Sequence, residues 1–446
     1  MRKHLSLFFS LLFGIPPALM GQTVLSKSAD GMNIREVVAY SLTNSPMIRQ
    51  SELDLEIGEQ EIKSSISGWF PQINANYALN DNIKLQTQPI GGELIRFGQP
   101  FSSNLSFQVN QTIFNRDQFA ASKAADLVRA DRQQTFETNQ INTAVEAARA
   151  YYNVLLTQEQ IRILSENIVR QQKQFEDAKN RFDVGLVDKT DYQRASIALA
   201  NLQSEKNAAQ SMMKARFASL KEVMGFPTNE ELVISYDYDS LETRVEIDTT
   251  LGLSIENRVE YQLAKTQFAS TQLQTNYAKW AYIPTVSGFY NYNFLYFNSE
   301  FSDLYNQSYP TSTLGLTVGI PIFQGGKRAH EVKIARLQEE RAEIGLGQFE
   351  QQLNTEYETS LANYKASYGV WVALRDNMIL AEEVYNTIKL QYDEGVKAYV
   401  DLIVAETDLR TAQLNNYNAL FTVLSSKLDL MRAMGQIKPS SLVNEF

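Results

Sequence analysis

The sequence predicts an α+β membrane protein built as an internal duplication, with long α-helical coiled-coil hairpins continuing from a β-barrel to which several copies contribute strands. Three observations predict it. Motifs of the first half return about 210 residues later, two long stretches lack proline, and short runs of alternating apolar and polar residues precede each of those stretches.

The duplication is explicit. Arg181-Phe182-Asp183-Val184-Gly185, followed by Asp191 and Ala195, returns as Gln391-Tyr392-Asp393-Glu394-Gly395, followed by Asp401 and Ala405. Glu146 and Asn153 return as Glu356 and Asn363, and Met224-Gly225 as Met434-Gly435. Pro71 answers to Pro284, Ile113-Phe114 to Ile322-Phe323, and Asn44-Ser45 to Asn257-Arg258. A period this long marks a duplicated module rather than a solenoid repeat.

Taken in order, residues 1–21 read as a signal peptide: Arg2, Lys3 and His4, an apolar run too short to span a bilayer, then small residues with cleavage near Gly21-Gln22. A first repeat (22–225) and a second (253–435) follow, joined by a linker (226–252) and closed by a tail (436–446). Each repeat opens with a helix, about 34–68 and 253–282.

A strand pair comes next, about 71–114 and about 284–323. Ile73, Ala75, Tyr77 and Leu79 alternate with polar residues, as do Leu105, Phe107 and Val109. Tyr290, Tyr292, Phe294 and Tyr296 alternate with Asn291 and Asn293, and Leu314, Leu316, Val318, Ile320 and Ile322 with Thr and Gly. Each run has about the 10 residues a tilted barrel strand needs to cross a membrane. Four strands cannot close a barrel, for which about 8 is the practical minimum, so copies must pool them. Two copies give eight strands and three give twelve; the pattern does not choose.

The proline-free stretches 101–226 and 322–438 are rich in Ala, Gln, Glu, Leu, Arg and Lys, which favour helix. A helix over about 116–182 would reach about 100 Å at 1.5 Å per residue. Gly185 and Gly395 then turn the chain into second helices near 190–224 and 400–434, with tips at 183–190 and 393–400. Helices of this length need coiled-coil partners.

Composition excludes several function classes. With 41 basic against 51 acidic residues the chain is net −10, and loss of Arg2 and Lys3 makes it more negative, so nucleic acid is not a partner. No cysteine is present, which excludes disulfides and amino-terminal lipidation. His330 is the single histidine beyond the leader, so clustered His and Cys–His metal sites are impossible and a Ser-His-Asp triad would rest on it alone. Gly325-Gly326-Lys327-Arg328 fails as a phosphate loop, because Pro321 stands at the first glycine position and Arg328 replaces Ser or Thr. No enzyme activity, cofactor or metal is expected.

Several motifs together resemble the TolC-like outer membrane factor (outer membrane efflux protein) family over essentially the whole mature chain. Arg181 to Leu186 with Asp191 resembles its first hairpin tip, and Tyr392 to Gly395 with Lys397, Asp401-Leu402 and Ala405 its second. Pro321-Ile322-Phe323-Gln324-Gly325-Gly326 resembles its strand-to-helix junction, and Asn44-Ser45-Pro46 a motif of its opening helix. The resemblance implies a homotrimer with a twelve-stranded barrel in the outer membrane and a twelve-helix periplasmic tunnel. Residues 22–33, 226–252 and 436–446 would form an equatorial belt, and 80–102 and 297–309 the cell-surface loops.

It further implies a periplasmic gate at Asp401, Asp191, Tyr392 and Lys397. A threefold axis would turn Asp401 into a ring of mutually repelling carboxylates; the alternative for both aspartates is helix capping. Where some members carry a second aspartate, this chain has Val404. Val184, Gly185 and Leu186, with Glu394, Gly395 and Val396, resemble the tip motifs that meet a periplasmic adaptor (membrane fusion) protein. Glu394 in place of Val184 makes the two docking grooves inequivalent. Pro71, Pro284, Phe114, Phe323, Gly325 and Gly326 mark the strand–helix junctions. The expected function is a passive exit duct for an efflux pump or type I secretion system, joined through the adaptor to an inner membrane pump of RND, ABC or MFS type. A periplasmic coiled-coil scaffold or surface adhesin is the alternative; it leaves the duplicated strands unexplained.

Overall fold

The computed structural model describes residues 31–186, 188–235, 238–439 and 441–443; the expected signal peptide and the end of the tail lie outside them. Two helices open the chain, α1 (Ile34–Asn44) and α2 (Pro46–Ile66). The single opening helix expected from sequence is broken because Ser45 is extended (ψ 132°), as the residue before proline prefers, and Pro46 takes the first helical position. Asn33 caps α1 by accepting the Glu36 N–H (3.0 Å), and the Glu36 carboxylate accepts the Asn33 N–H (2.8 Å).

Strands β1 (Gln72–Asp81), β2 (Gln86–Ile90), β3 (Glu93–Phe97) and β4 (Phe101–Phe114) precede the 68-residue helix α3 (Arg116–Asp183) and its return α4 (Lys189–Met224). A six-residue helix α5 (Tyr238–Thr243) lies in the linker. The second half repeats the plan with α6 (Val259–Lys279), β5 (Thr285–Asn298), β6 (Ser308–Gly319), the 67-residue α7 (Lys327–Asp393) and α8 (Tyr399–Ala433).

Strands β1, β4, β5 and β6 form one antiparallel sheet in the order β1-β4-β5-β6, so the two halves join at its centre and β1 and β6 are its edges. Pro310 lies in edge strand β6, where a missing N–H is tolerated. The alternation read through Ile322 outlasts the ladder, which stops at Gly319, because Pro321 donates no hydrogen bond. The expected loop 80–102 contains the separate hairpin β2–β3, turned by Gly91 and Gly92, both at positive φ.

The main core sits at mid-helix. Along α8 the buried residues Leu402, Ala405, Leu409, Asn416, Leu420 and Val423 step by three and four or their sum, the spacing of a coiled-coil seam. Fully buried Leu155, Leu420, Leu424 and Leu430 each stabilise by about 1.5–3 kcal/mol. Around this waist, chain from the leading segment, the linker and the tail is strapped on. Met32 and Ser235 exchange bonds with Val233 and Met32 (2.9 and 3.0 Å), and Leu232, Ile234, Leu241, Val245, Ile437 and Leu442 enter the core. Tyr151 of α3 donates to Ser235 O (2.6 Å), Tyr364 of α7 to Val245 O (3.1 Å) and Lys427 of α8 to Arg244 O (2.6 Å). These bonds satisfy linker carbonyls that regular structure leaves unpaired.

Candidate functional site

The register of the sheet fixes which residues share a face. Ile73 pairs with Val109, which pairs with Tyr290, which pairs with Leu314. The rows Ala75–Phe107–Tyr292 and Tyr77–Leu105–Phe294 continue the same apolar side, joined near the junctions by Val286–Val318 and Gly288–Leu316. One residue over, Asn74–Gln108–Asn291–Thr313 and Asn76–Ser106–Asn293–Thr311 cross all four strands on the opposite face. An amide and hydroxyl ladder behind an apolar one is the distribution of a strand set between lipid and water.

At the other end of the molecule both hairpins turn on glycine. Gly185 (φ 75°) donates to Phe182 O (2.9 Å) and Leu186 N–H to Arg181 O (2.8 Å), closing α3 in a Schellman turn. Gly395 (φ 77°) donates to Tyr392 O (2.9 Å), and Val396 and Lys397 both donate to Gln391 O. A Cβ at either glycine would meet nothing within 4 Å, so the left-handed backbone rather than space requires glycine there. Val184, Leu186 and Val396 are 70–76% exposed, and Glu394 and Lys397 are exposed as well.

Between the tips the two hairpins touch. Ala178, Ala195 and Tyr399 form a small core covered by Phe175, Tyr192, Tyr392 and Ile403. The Arg181 guanidinium lies 5.3 Å over the Tyr392 ring, whose other neighbour is Tyr399 at 5.9 Å. Burial pushes the Tyr392 phenol above its ordinary value; Arg181 opposes the shift, and the Asp177, Asp191 and Asp393 carboxylates reinforce it. Burial likewise pushes Tyr399 up to about 12.

The profile of the family described as outer membrane efflux protein matches residues 37–226 and 250–436, both halves of the duplication. This chain belongs to the outer membrane efflux protein family. The TolC outer membrane protein of Vibrio cholerae serotype O1 is 22% identical over 461 residues, covering 100% of this chain and 98% of the relative. The proteases secretion protein PrtF of Dickeya chrysanthemi is 19% identical over 93% of this chain and 91% of its own. Among solved structures, the CmeC outer membrane channel of Campylobacter jejuni superposes with a TM-score of 0.71 at 16% identity, covering 91% of this chain and 86% of that one. An outer membrane efflux protein resides in the outer membrane, and the two-faced sheet fits that location.

Within this efflux-protein fold, the residues singled out from sequence fall into two groups. Asp191 and Tyr392 are brought together across the hairpins. Asp401 flanks the second turn, where its Oδ2 accepts the Ala398 N–H (3.3 Å), so it caps α8. The cap of α4 is Asp188, which accepts the Thr190 N–H (3.1 Å), leaving Asp191 free of that task. At the junctions, Pro71 and Pro284 directly precede β1 and β5. Phe114 ends β4 and packs on Phe119 (6.3 Å) beside the cap Asn115, whereas Phe323 is exposed and two left-handed glycines, Gly325 and Gly326, lead into α7. Sequence reasoning placed Arg181 in the tip motif but missed its contact with Tyr392, and missed Tyr399 and Glu406 altogether. Their signal is a polar or aromatic residue on the three–four stripe of α8 or in the last turn of α3.

Proposed function

We propose that the protein is a passive outer membrane exit duct, closed at its periplasmic helix tips and working with a periplasmic adaptor and an inner membrane pump. The observation that carries the reading is the four-strand register with lipid-compatible residues on one face and Asn, Gln, Ser and Thr on the other, ended by two unpaired edges. Unpaired edges are intolerable in a bilayer, so β1 of one copy must pair with β6 of the next. Membership in the family favours three copies and a twelve-stranded barrel over two. The helices α3 and α7, each about 100 Å long at 1.5 Å per residue, supply the periplasmic reach.

Asp401, Asp191, Tyr392 and Lys397 form the gate in this reading, and Val184, Gly185, Leu186, Glu394, Gly395 and Val396 the adaptor-docking tips. The names of the relatives, one of them a proteases secretion protein, support an efflux or secretion system without selecting its cargo. A barrel face of uncharged Asn, Gln, Ser and Thr discriminates little, so cargo choice belongs to the pump. Adaptor binding opens the tips only by favouring the open state over the closed one.

Single-channel conductance in planar bilayers tests this. Wild type should carry a small cation-selective current. Asp401→Ala and Lys397→Ala should raise it several-fold, and Asp401→Asn, which keeps a cap acceptor but loses the charge, should weaken cation selectivity. Unchanged conductance and selectivity in all three would reduce Asp401 to a cap. No current from an intact wild-type trimer would favour the scaffold alternative.

The sheet faces make a second prediction. Leu314→Arg, at mid-strand on the apolar face, should destabilise the barrel by about 2–4 kcal/mol, while Thr313→Arg on the polar face should be tolerated. Yields of heat-resistant trimer in outer membrane fractions compare the two, and equal yields would contradict the assignment of faces.

A further inference from the structure

Charge is spread unevenly along the long axis of the molecule. Strands β1, β4, β5 and β6 carry no cation, and their one carboxylate is Asp81 at the loop end of β1. The loops beyond that end, 82–100 and 299–307, hold Lys84 and Arg96 against Glu93, Glu300 and Asp303. Four stretches of equal length border the sheet on its helical side: 63–71, 115–123, 276–284 and 320–328. They hold six cations (Lys63, Arg116, Lys123, Lys279, Lys327 and Arg328) against one carboxylate, Asp117. In a chain of net charge −10, the strand–helix junctions form a basic collar.

The cations of this collar are left short of carboxylate partners. Among the described residues its only ion pairs are Arg116–Asp117 and Lys327–Glu331, both at 3.7 Å. Asp117 is further engaged by the Tyr277 hydroxyl, which donates to it (2.6 Å). The cations lie against rings instead. Arg116 sits 4.4 Å from the centre of Tyr277, Arg328 5.1 Å from Tyr282 and Lys123 Nζ 5.8 Å from Phe119. Two of the chain's three tryptophans, Trp69 and Trp280, belong to the same stretches. Cations and amphipathic rings at one level suit the polar boundary of a bilayer.

The collar continues the lipid side of the sheet rather than the wet one. Phe114 pairs with Val286 on the apolar face and packs on Phe119 (6.3 Å). Phe119 packs on Trp280 (4.8 Å), and Lys123 lies over Phe119. An unbroken apolar path thus joins the lipid-facing strands to a cation.

The duplication shows where an anion is missing. Helix α3 begins Asn115-Arg116-Asp117, with a side-chain cap and an acidic residue in its first turn; α7 begins Gly326-Lys327-Arg328, with neither. At the helix position of Asp117 stands Arg328, 7% exposed, whose one hydrogen bond runs from Nη1 to Pro321 O (3.0 Å). In the barrel proposed above, the next copy pairs its β1 with this β6. It brings residues 62–80, which contain neither Asp nor Glu.

We propose that the collar binds the headgroups of anionic phospholipid in the periplasmic leaflet, with Lys123, Lys279 and Lys327, all exposed, meeting the phosphates. Bound lipid supplies the negative charge that α7 lacks and pins the junctions at headgroup level. The acidic rim at the other end of the barrel makes no such contact. The proposal rests on the barrel of the exit-duct reading and not on its gate.

Tryptophan fluorescence of the full-length trimer tests it, in phosphatidylcholine vesicles carrying a minority of brominated phosphatidylglycerol or of brominated phosphatidylcholine. Trp371 is buried in the mid-helix core and gives an unquenched background, so quenching reports Trp69 and Trp280. The anionic lipid should be enriched at the collar several-fold, and added salt should reduce the enrichment. Lys123→Gln, Lys279→Gln and Lys327→Gln combined should bring the two lipids to equal quenching, whereas Lys84→Gln with Arg96→Gln should change nothing. If the combined variant yields no trimer, the single substitutions carry the test, each lowering the enrichment by up to about fivefold. Equal quenching in wild type, or enrichment unchanged in the combined variant, would overturn the collar. Displacement of the lipid by inorganic phosphate at constant ionic strength would also overturn it, in favour of a free-phosphate site. A combined variant with altered ion selectivity and unaltered quenching would put the lysines in the lumen. Absence of quenching by either lipid would remove the barrel itself. Enrichment in a trimer that passes no current would leave the collar standing and remove the exit duct alone.

Discussion

Gly225→Ala is expected to destabilise the helical body by about 2–5 kcal/mol, the sum of a left-handed-backbone cost and an overpacking cost. Gly225 ends α4 at φ 68°, and Phe226 N–H closes the turn on Lys221 O (2.8 Å). A Cβ there would stand 2.3 Å from Asn44 O, 2.9 Å from its carbonyl carbon and 3.0 Å from Pro46 Cδ. Two of those atoms are backbone at the α1–α2 break, so they move only if the break moves. The duplicated partner provides the control. Gly435 has φ 72°, but its Cβ would meet Ser254 O at 3.3 Å, an approach that a small adjustment relieves. Gly435→Ala should therefore cost close to the backbone term alone, about 1–2 kcal/mol. Thermal unfolding in detergent followed by far-ultraviolet circular dichroism measures both, and equal losses would contradict the close approach at Asn44.

That contact also gives the repeated motifs a physical meaning. Asn44-Ser45 and Met224-Gly225 are about 180 residues apart in sequence, yet they are the two sides of one joint. Asn257-Arg258 and Met434-Gly435 are the two sides of its copy. The sequence displayed both sides without saying that they meet.

Legibility elsewhere followed the range of the interactions involved. The extent of α3 and α7 was readable because proline and glycine act locally on the backbone, and the strand faces because a two-residue period needs no partner to be seen. The β2–β3 hairpin was overlooked although Ile90-Gly91-Gly92-Glu93 is a two-residue turn signal between alternating runs. The break at Pro46 was equally local, but the helical composition on both sides masked it. Glu406 was of a different kind. It is the single glutamate of α8 and lies on the three–four stripe of that helix, but the stripe does not say what covers it; only the crossing of α3 over α8 brings Gln174 and Arg170 to its carboxyl. The tips were mixed: glycine turns are written in the sequence, whereas the choice of Asp188 over Asp191 as the α4 cap depends on where the first helical turn begins.

Arg258→Ala should be the other severe substitution, costing about 3–5 kcal/mol because it strands a buried charge rather than removing a surface pair. The Arg258 side chain is 3% exposed; Nη1 donates to Ala433 O (3.1 Å), while Nε and Nη2 reach Glu260 and Glu356, both at 3.2 Å. It thus places a cation at the carboxyl end of α8, where the helix dipole favours one. Burial alone pushes the Glu260 carboxyl up, but the Arg258 and Arg432 guanidiniums outweigh it and hold the carboxyl below its ordinary range. A depressed carboxyl contributes stability that is present above its unfolded value and lost as the pH falls through the folded one. Without Arg258, Arg432 at 3.3 Å is the remaining cation on Glu260, and burial prevails. The mutant deficit should then be greatest at neutral pH and shrink on acidification, as Glu260 takes up a proton in the mutant before it does in wild type. Arg258→Lys should fall between, since a single ammonium cannot serve Ala433 O and two carboxylates from one planar fork. Unfolding midpoints across pH decide the matter. A loss below about 1 kcal/mol that does not vary with pH would mean that Arg258 behaves as a surface ion pair, and that the joint at Gly435 is held by packing alone.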